Sequence, residues 1–214
     1  MEKKEDISAL RRDYNKYSFN ENSAVQNPFE QFQSWFRDAI DVEMLDPNAF
    51  ALSTSTKDGK PSSRMLLLKH FDEKGFVFFT NYESRKGREL LENPQASILF
   101  FWDKLERQVR IQGKVEIITQ KESDDYFQTR PYTSRLGAWA SRQSEPLKSR
   151  FTLIRQVAQL MVKYPLNVPL PPYWGGYRLI PAEFEFWQGR LNRLHDRIQY
   201  IKEKDYWKLI RLYP

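Results

Sequence analysis

Arg193, His195 and Arg197 alternate with Leu194 and Asp196 near the C-terminus. If this segment is extended, its period of two turns the three side chains to one face. Such a face carries two fixed positive charges around the side-chain type that titrates near neutral pH. It suits an anionic, electron-rich, planar ligand. A lone histidine is usually structural; the flanking arginines favour a functional role here, whereas His70 has no such neighbours. In the same stretch, Gly175-Gly176 interrupts a β-like run. The pair marks a bulge or a place where the backbone approaches something closely.

A second cationic group lies at 80–87, Thr80-Asn81-Tyr82-Glu83-Ser84-Arg85-Lys86-Gly87. A strand ends there, Ser84 can cap the next helix, and Arg85 and Lys86 fall in its first turn. Cations at that end oppose the helix dipole, so they are misplaced surface charges unless an anion compensates. A phosphate would compensate, each charge-assisted hydrogen bond contributing roughly 1.5–3 kcal/mol. Tyr126 and Arg130, four apart on one helix face, offer with Ser134 two hydroxyls and a forked cation, a fair cradle for a phosphate monoester; an exposed Tyr/Arg pair is the plainer explanation. Arg64 and Lys69 flank the apolar run Met65-Leu66-Leu67-Leu68, either as solubilising gatekeepers or as groups serving two different partners, since a separation of five puts them on opposite faces of a regular strand.

The elements that must position these residues are short. Asn27-Pro28 opens a helix whose core face is Phe29, Phe32, Phe36 and Ile40. Strands are predicted over 49–54 and 62–70 around a turn at 57–60, then over 76–80, 95–102 and 108–119. Thr119 and Glu122 have capping-box spacing and open a helix that Pro131 stops. A longer helix within 144–164 shows Phe151, Ile154, Ala158 and Met161 as a packing stripe, and 206–212 forms a last strand. Tight turns between short strands predict a mainly β, α+β antiparallel barrel or sandwich rather than a doubly wound sheet.

The 214 residues carry a formal net charge of +6 and no cysteine. Disulfides, thiolate metal sites and cysteine nucleophiles are therefore excluded, and a reducing compartment is compatible. No GxGxxG follows the first strand and no Walker-type loop occurs. No motif calls for a metal. The charged start lacks a signal peptide's apolar core, and runs such as 98–102 are too short to span a bilayer, so a soluble cytoplasmic protein is expected. The positive balance suits a phosphorylated small molecule, a nucleic acid or a solvated surface.

WGGYR at 174–178, EFWQG at 185–189 and NRLHDR at 192–197, with RRDY at 11–14, resemble the pyridoxine/pyridoxamine 5′-phosphate oxidase family over almost the whole chain. The resemblance implies an FMN-binding Greek-key split β-barrel. It also implies a homodimer with FMN at the subunit interface, and oxidation of both B6 phosphates by O2 to pyridoxal 5′-phosphate, giving H2O2 and, from the amine, NH3. Residues 1–26 would be a mobile arm or lid on a single domain, 27–214. FMN would meet Arg64, Met65, Leu66, Leu67, Leu68, Lys69, Phe79, Thr80, Arg85, Lys86, Gln108, Gln143, Ser144, Trp187 and Arg197, with Phe79 standing where members often have tyrosine. Lys69, Tyr126, Arg130 and Ser134 would hold the substrate phosphate, and Arg193, Leu194 and His195 its ring. Arg11, Arg12, Asp13 and Tyr14 would fold over it; Arg193, His195, Asp46, Arg11 and Tyr14 would act at the reacting centre. Another flavoenzyme on the same barrel is one rival. A non-catalytic nucleic-acid or ligand-binding module is the other, although the cations cluster in spots rather than in one stripe.

Overall fold

Asn27 caps helix α1 (Pro28–Asp41): its Oδ1 accepts from the Phe29 N–H at 2.9 Å, and Pro28 provides the first helical residue. The computed structural model describes residues 13–214. Strands β1 (Ala49–Ser55), β2 (Pro61–Leu67), β3 (His70–Asp72) and β4 (Gly75–Asn81) follow, then α2 (Arg85–Glu92), β5 (Gln95–Trp102) and β6 (Arg107–Ile117). Helices α3 (Gln120–Thr129), α4 (Tyr132–Ala140) and α5 (Arg150–Lys163) precede β7 (Trp174–Gln188), β8 (Asp196–Glu203) and β9 (Tyr206–Arg211). Strand order is β2-β1-β5-β6-β7-β4-β3, with β8 on β7 and β9 on β8. The pairs β1–β2, β3–β4, β4–β7, β7–β8 and β8–β9 are all antiparallel, as expected.

The chain divides into two compact units. The first holds the described residues up to Pro47, Leu99–Arg110 and Glu183–Pro214. Its core is aromatic: Phe29 meets Phe184 at 5.2 Å, Phe32 meets Phe100 at 5.1 Å, and Trp35 meets Phe186 at 5.2 Å. The buried face of α1 is thus Phe29, Phe32, Trp35 and Ala39, and the expected Ile40 is exposed. Burying each such ring contributes about 1.5–3 kcal/mol. Phe19, also buried, packs on Trp35 and Phe186, so the chain just before α1 is part of this core.

The second unit comprises Asn48–Ile98 and Ile111–Ala182. Phe50, Leu52, Phe76, Phe78, Ile98, Tyr177 and Leu179 are buried in its sheet, and Phe127, Leu136, Val168 and Trp174 form a cluster under its helices. Helix α4 was not expected; Pro131 stops α3 and at once serves as its N-cap residue. The stripe read on α5 is also corrected. Val157, Leu160 and the following Tyr164 pack on the helical cluster, while Phe151, Ile154, Ala158 and Met161 are exposed. Apolar residues surround α5, so periodicity alone could not choose its inner face.

Two further expectations change. The run 62–70 is not one strand: β2 ends at Leu67, the Leu68 N–H donates to Asn48 O, and the Lys69 N–H donates to Val77 O. The backbone changes partner there, from the side of β1 to β4. The alternation argument for Arg64 and Lys69 therefore does not apply. Likewise, 193–197 is not a strand throughout. A 3₁₀ turn covers Leu191–Arg193, Asn192 and Arg193 have φ of 55° and 61°, and β8 begins only at Asp196. Positive φ at two consecutive side-chain-bearing residues breaks the period of two.

Candidate active site

Strand β4 delivers the cationic corner. Asn81 Oδ1 accepts from the Glu83 N–H at 2.7 Å, Ser84 Oγ donates to Asn81 O at 2.7 Å, and Ser84 Oγ caps α2 by accepting from Gly87 N–H. Gly87 is required for this turn, because a Cβ there would lie 2.0 Å from Tyr82 O. The tight turn carries Lys86 inward. It is 6 % exposed, and its Nζ donates to Gln143 Oε1 at 2.9 Å, Thr80 Oγ1 at 3.0 Å and Ser84 Oγ at 3.2 Å. Ser144 Oγ accepts from the Arg85 N–H at 3.2 Å. Thr80, Arg85, Lys86, Gln143 and Ser144, all expected from the sequence, therefore meet at one place.

Glu89, one turn along α2, was not anticipated. It accepts from Arg85 Nε at 2.8 Å and lies 3.4 Å from Arg64 Nη2. Arg85 thus has its anion within the helix, which corrects the inference that only a bound anion could offset it. Lys86 does not: its hydrogen-bond partners are neutral oxygens. Burial, and secondarily Arg64, push its pKa down to about 8 against the opposing pull of Glu89. Burial alone would raise Glu89, but hydrogen bonds from Ser62, Thr54 and Arg85 and the charge of Arg64 outweigh it and hold the carboxyl at about 2. A buried ammonium beside two guanidiniums fits a phosphate dianion.

A second cationic site lies at the end of α3, whose capping box joins Thr119 and Glu122 as expected. Tyr126 stacks on Phe79 at 3.9 Å, and Phe79 stacks on Trp174 at 5.5 Å. Phe79 is thus the middle ring of a stack between Tyr126 and Trp174. Arg130 lies 4.7 Å over Trp174, and its Nη1 is buried with no hydrogen-bond partner. An orphaned guanidinium N–H is costly unless an anion completes it. Ser134 stands in the first turn of α4, with no hydrogen bond to Arg130; Lys69 is exposed. Gly175 and Gly176 mark a close approach within regular β4–β7 pairing, not a bulge: a Cβ would lie 2.0 Å from Tyr82 Oη and 2.4 Å from Ile118 Cδ1.

The first unit holds the histidine group by itself. His195 lies 4.6 Å from the Trp187 ring, and Tyr14 meets the same indole edge-on at 5.7 Å. The Arg190 N–H donates to His195 Nδ1 at 3.1 Å. Arg193 and Leu194 are exposed on the turn. Arg197 faces Trp187 across β7–β8, with Nε on Glu185 at 2.8 Å and Nη1 on Tyr213 O at 2.8 Å; Glu185 also takes Arg110. Gln108 lies in β6, Asp46 is exposed between α1 and β1, and Asp13 is exposed; none joins this cluster by a hydrogen bond. Arg11 and Arg12 lie outside the described residues.

The antiparallel sheet with its strand-to-helix corner has the fold of the split-barrel class, as its structural neighbours show. PhzG from Burkholderia lata 383, solved with tetrahydrophenazine-1-carboxylic acid, superposes with a TM-score of 0.88 at 34 % identity, covering 94 % of this chain and 99 % of that one. An FMN-binding, pyridoxamine 5′-phosphate oxidase-related protein from Nostoc punctiforme shares the fold, with a TM-score of 0.70 at 16 % identity over 89 % of this chain and all of that one. Residues 36–162 match the pyridoxamine 5′-phosphate oxidase family model, and 174–214 match the pyridoxine 5′-phosphate oxidase C-terminal dimerisation region. The pyridoxine/pyridoxamine 5′-phosphate oxidase of Thermosynechococcus vestitus is 53 % identical over 97 % of this chain and 99 % of its own. That of Rubrobacter xylanophilus is 51 % identical over 98 % and 97 %. The chain belongs to the pyridoxine/pyridoxamine 5′-phosphate oxidase family.

Proposed function

We propose that this chain oxidises pyridoxine 5′-phosphate and pyridoxamine 5′-phosphate to pyridoxal 5′-phosphate, using FMN and dioxygen, as a cytoplasmic homodimer. The observation that carries the reading is that two separate cationic sites, around buried Lys86 and around the orphaned Nη1 of Arg130, occur in a chain of this family. Two phosphoesters are what a flavin mononucleotide and a B6 phosphate bring. Bound FMN would supply the redox chemistry, a two-electron oxidation at the substrate's C4′ with dioxygen as final acceptor and H2O2 released; with the amine, water hydrolyses the resulting imine and NH3 leaves.

The chain's own groups bind and orient. Lys86, Arg85, Arg64, Thr80, Gln143 and Ser144 would hold the cofactor phosphate, with the Met65–Leu68 run, Gln108, Trp187 and Arg197 along the flavin. Arg130, Tyr126, Ser134 and Lys69 would hold the substrate phosphate, and binding energy there orients a reacting carbon elsewhere on the same molecule. With Nδ1 occupied by the Arg190 N–H, neutral His195 carries its proton on Nε2 and can donate to an electronegative ring substituent. Arg193 would hold the ring from the open side, and the segment through Tyr14 would cover it. The expected result is a yellow purified protein whose flavin band bleaches anaerobically on addition of pyridoxine 5′-phosphate and returns with air. A colourless protein without FMN affinity, or a flavin that the B6 phosphates leave oxidised, would sink the reading. The likeness to PhzG, solved with tetrahydrophenazine-1-carboxylic acid, makes a reduced phenazine carboxylate the competitor to include in that assay, and the 53 % identity to B6 oxidases against 34 % to PhzG supports the vitamin reading.

A further inference from the structure

Glu89 is 3 % exposed and belongs to α2, yet it gathers groups from three elements. One carboxylate oxygen accepts from Arg85 Nε at 2.8 Å; the other takes the hydroxyls of Thr54 on β1 and Ser62 on β2, with Arg64 Nη2 at 3.4 Å. Arg64 Nη1 is further fixed on Thr54 Oγ1 at 2.6 Å and Leu52 O at 3.2 Å. Two guanidiniums from different elements thus converge on one buried anion, beside a Lys86 whose bonds go to neutral oxygens.

Resting on the FMN reading above, we propose that Glu89 is a positioning residue for the cofactor's phosphate, fixing Arg64 and Arg85 before the ligand arrives. Three cations less one carboxylate leave two positive charges, the complement of a phosphate dianion. Long charged side chains that must be ordered on binding weaken it, whereas side chains already held do not. Removing Glu89 has two opposed consequences. The corner gains attraction for any anion, and its arginines lose their anchor. The sign of the change in FMN affinity tells which dominates.

The full chain, stripped of flavin, is titrated with FMN and with riboflavin, which lacks the phosphate. In Glu89→Gln the near-isosteric amide presents an NH2 to donors that need an acceptor. FMN affinity is expected to fall at least ten-fold, riboflavin affinity to stay within two-fold of wild type, and turnover at saturating FMN to be retained. Glu89→Asp keeps the charge but withdraws the carboxylate by one methylene, and it too is expected to weaken FMN selectively. Unchanged or tighter FMN binding in Glu89→Gln, or a wild-type-like Glu89→Asp, would show a mere charge balance and overturn the proposal. Equal weakening of FMN and riboflavin would also overturn it, as a general loss of structure. A wild-type chain that binds no FMN would remove the functional reading and the proposal together; normal wild-type binding with an unaffected Glu89→Gln removes the proposal alone.

Discussion

The main-chain N–H of Arg190 donates to Nδ1 of His195 at 3.1 Å, across the 3₁₀ turn that joins β7 to β8. This bond chooses the histidine's tautomer and requires Nδ1 to be unprotonated. Burial pushes the His195 pKa below its usual value, the Arg193 charge adds to that, and Asp196 opposes both. The folded state therefore binds the proton less readily than the unfolded chain. Stability is fully present above the ordinary histidine range, near pH 6.5, and declines as pH falls below it. Nitrogen-detected NMR of selectively labelled His195 should show the Nε2–H form at neutral pH and a midpoint below that of a model peptide. A midpoint above the peptide's would contradict the assignment.

Lys86 gives a pH dependence of the other kind. Its pKa of about 8 in the fold lies below the lysine value of 10.5 in the unfolded chain. Between those values the unfolded chain holds more protons, so flavin-free protein should gain stability as pH rises from about 8 toward 10. Lys86→Met should lose that rise while being no less stable at neutral pH. Denaturant melts at pH 7.5 and 9.5, without FMN, test it; parallel behaviour of the two proteins would refute the buried charge. With FMN present the sign reverses, because the phosphate favours charged Lys86, and affinity should fall above about pH 8.

Three glycines rank themselves by what a methyl group would strike. At Gly87 it meets backbone, Tyr82 O at 2.0 Å; at Gly176 it meets the movable end of Ile118 at 2.4 Å; at Gly137, within α4, nothing lies within 4 Å. Gly87→Ala should cost about 2 kcal/mol or more, lowering Tm by roughly 4–8 °C, and Gly176→Ala should cost less. Gly137→Ala should stabilise by about 0.5–1 kcal/mol, since alanine suits a helix interior better. Any other order in thermal melts would contradict the packing described.

Arg130 and Arg193 should separate cofactor from substrate. Arg130→Met removes the orphaned guanidinium above Trp174 and should raise KM for pyridoxine 5′-phosphate at least ten-fold while the protein stays yellow. Arg193→Met should keep FMN and lose most of kcat/KM. Loss of flavin from either variant, measured by absorbance after gel filtration, would move that residue to the cofactor's side.

Much of the site was legible because local rules were strong there. Ser84 behind Arg85-Lys86 and Asn27-Pro28 each declare a helix start through one side-chain hydrogen bond, and the Thr119–Glu122 capping box through two reciprocal ones. The glycine pair at 175–176 declared a close approach, although not that Tyr82 and Ile118 make it. What stayed hidden depends on tertiary placement. Glu89 reads as one more charge in a polar helix until β1 and β2 bring Thr54 and Ser62 onto it. The turn that carries Arg193 contains no glycine or proline to announce its left-handed residues. Helix α5 is apolar on several sides, so its packing face was decided by α4 rather than by its own period.

The handover of the main chain between Leu68 and Lys69 moors the two ends of this short segment to different anchors, Asn48 and Val77. A loop longer than 57–60 can bulge outward while the β1–β2 register and both anchors hold, so Arg64 stays opposite Leu52 and Lys69 keeps its bond to Val77. The length of that loop is thereby uncoupled from the placing of the two cations, a freedom open to a protein engineer.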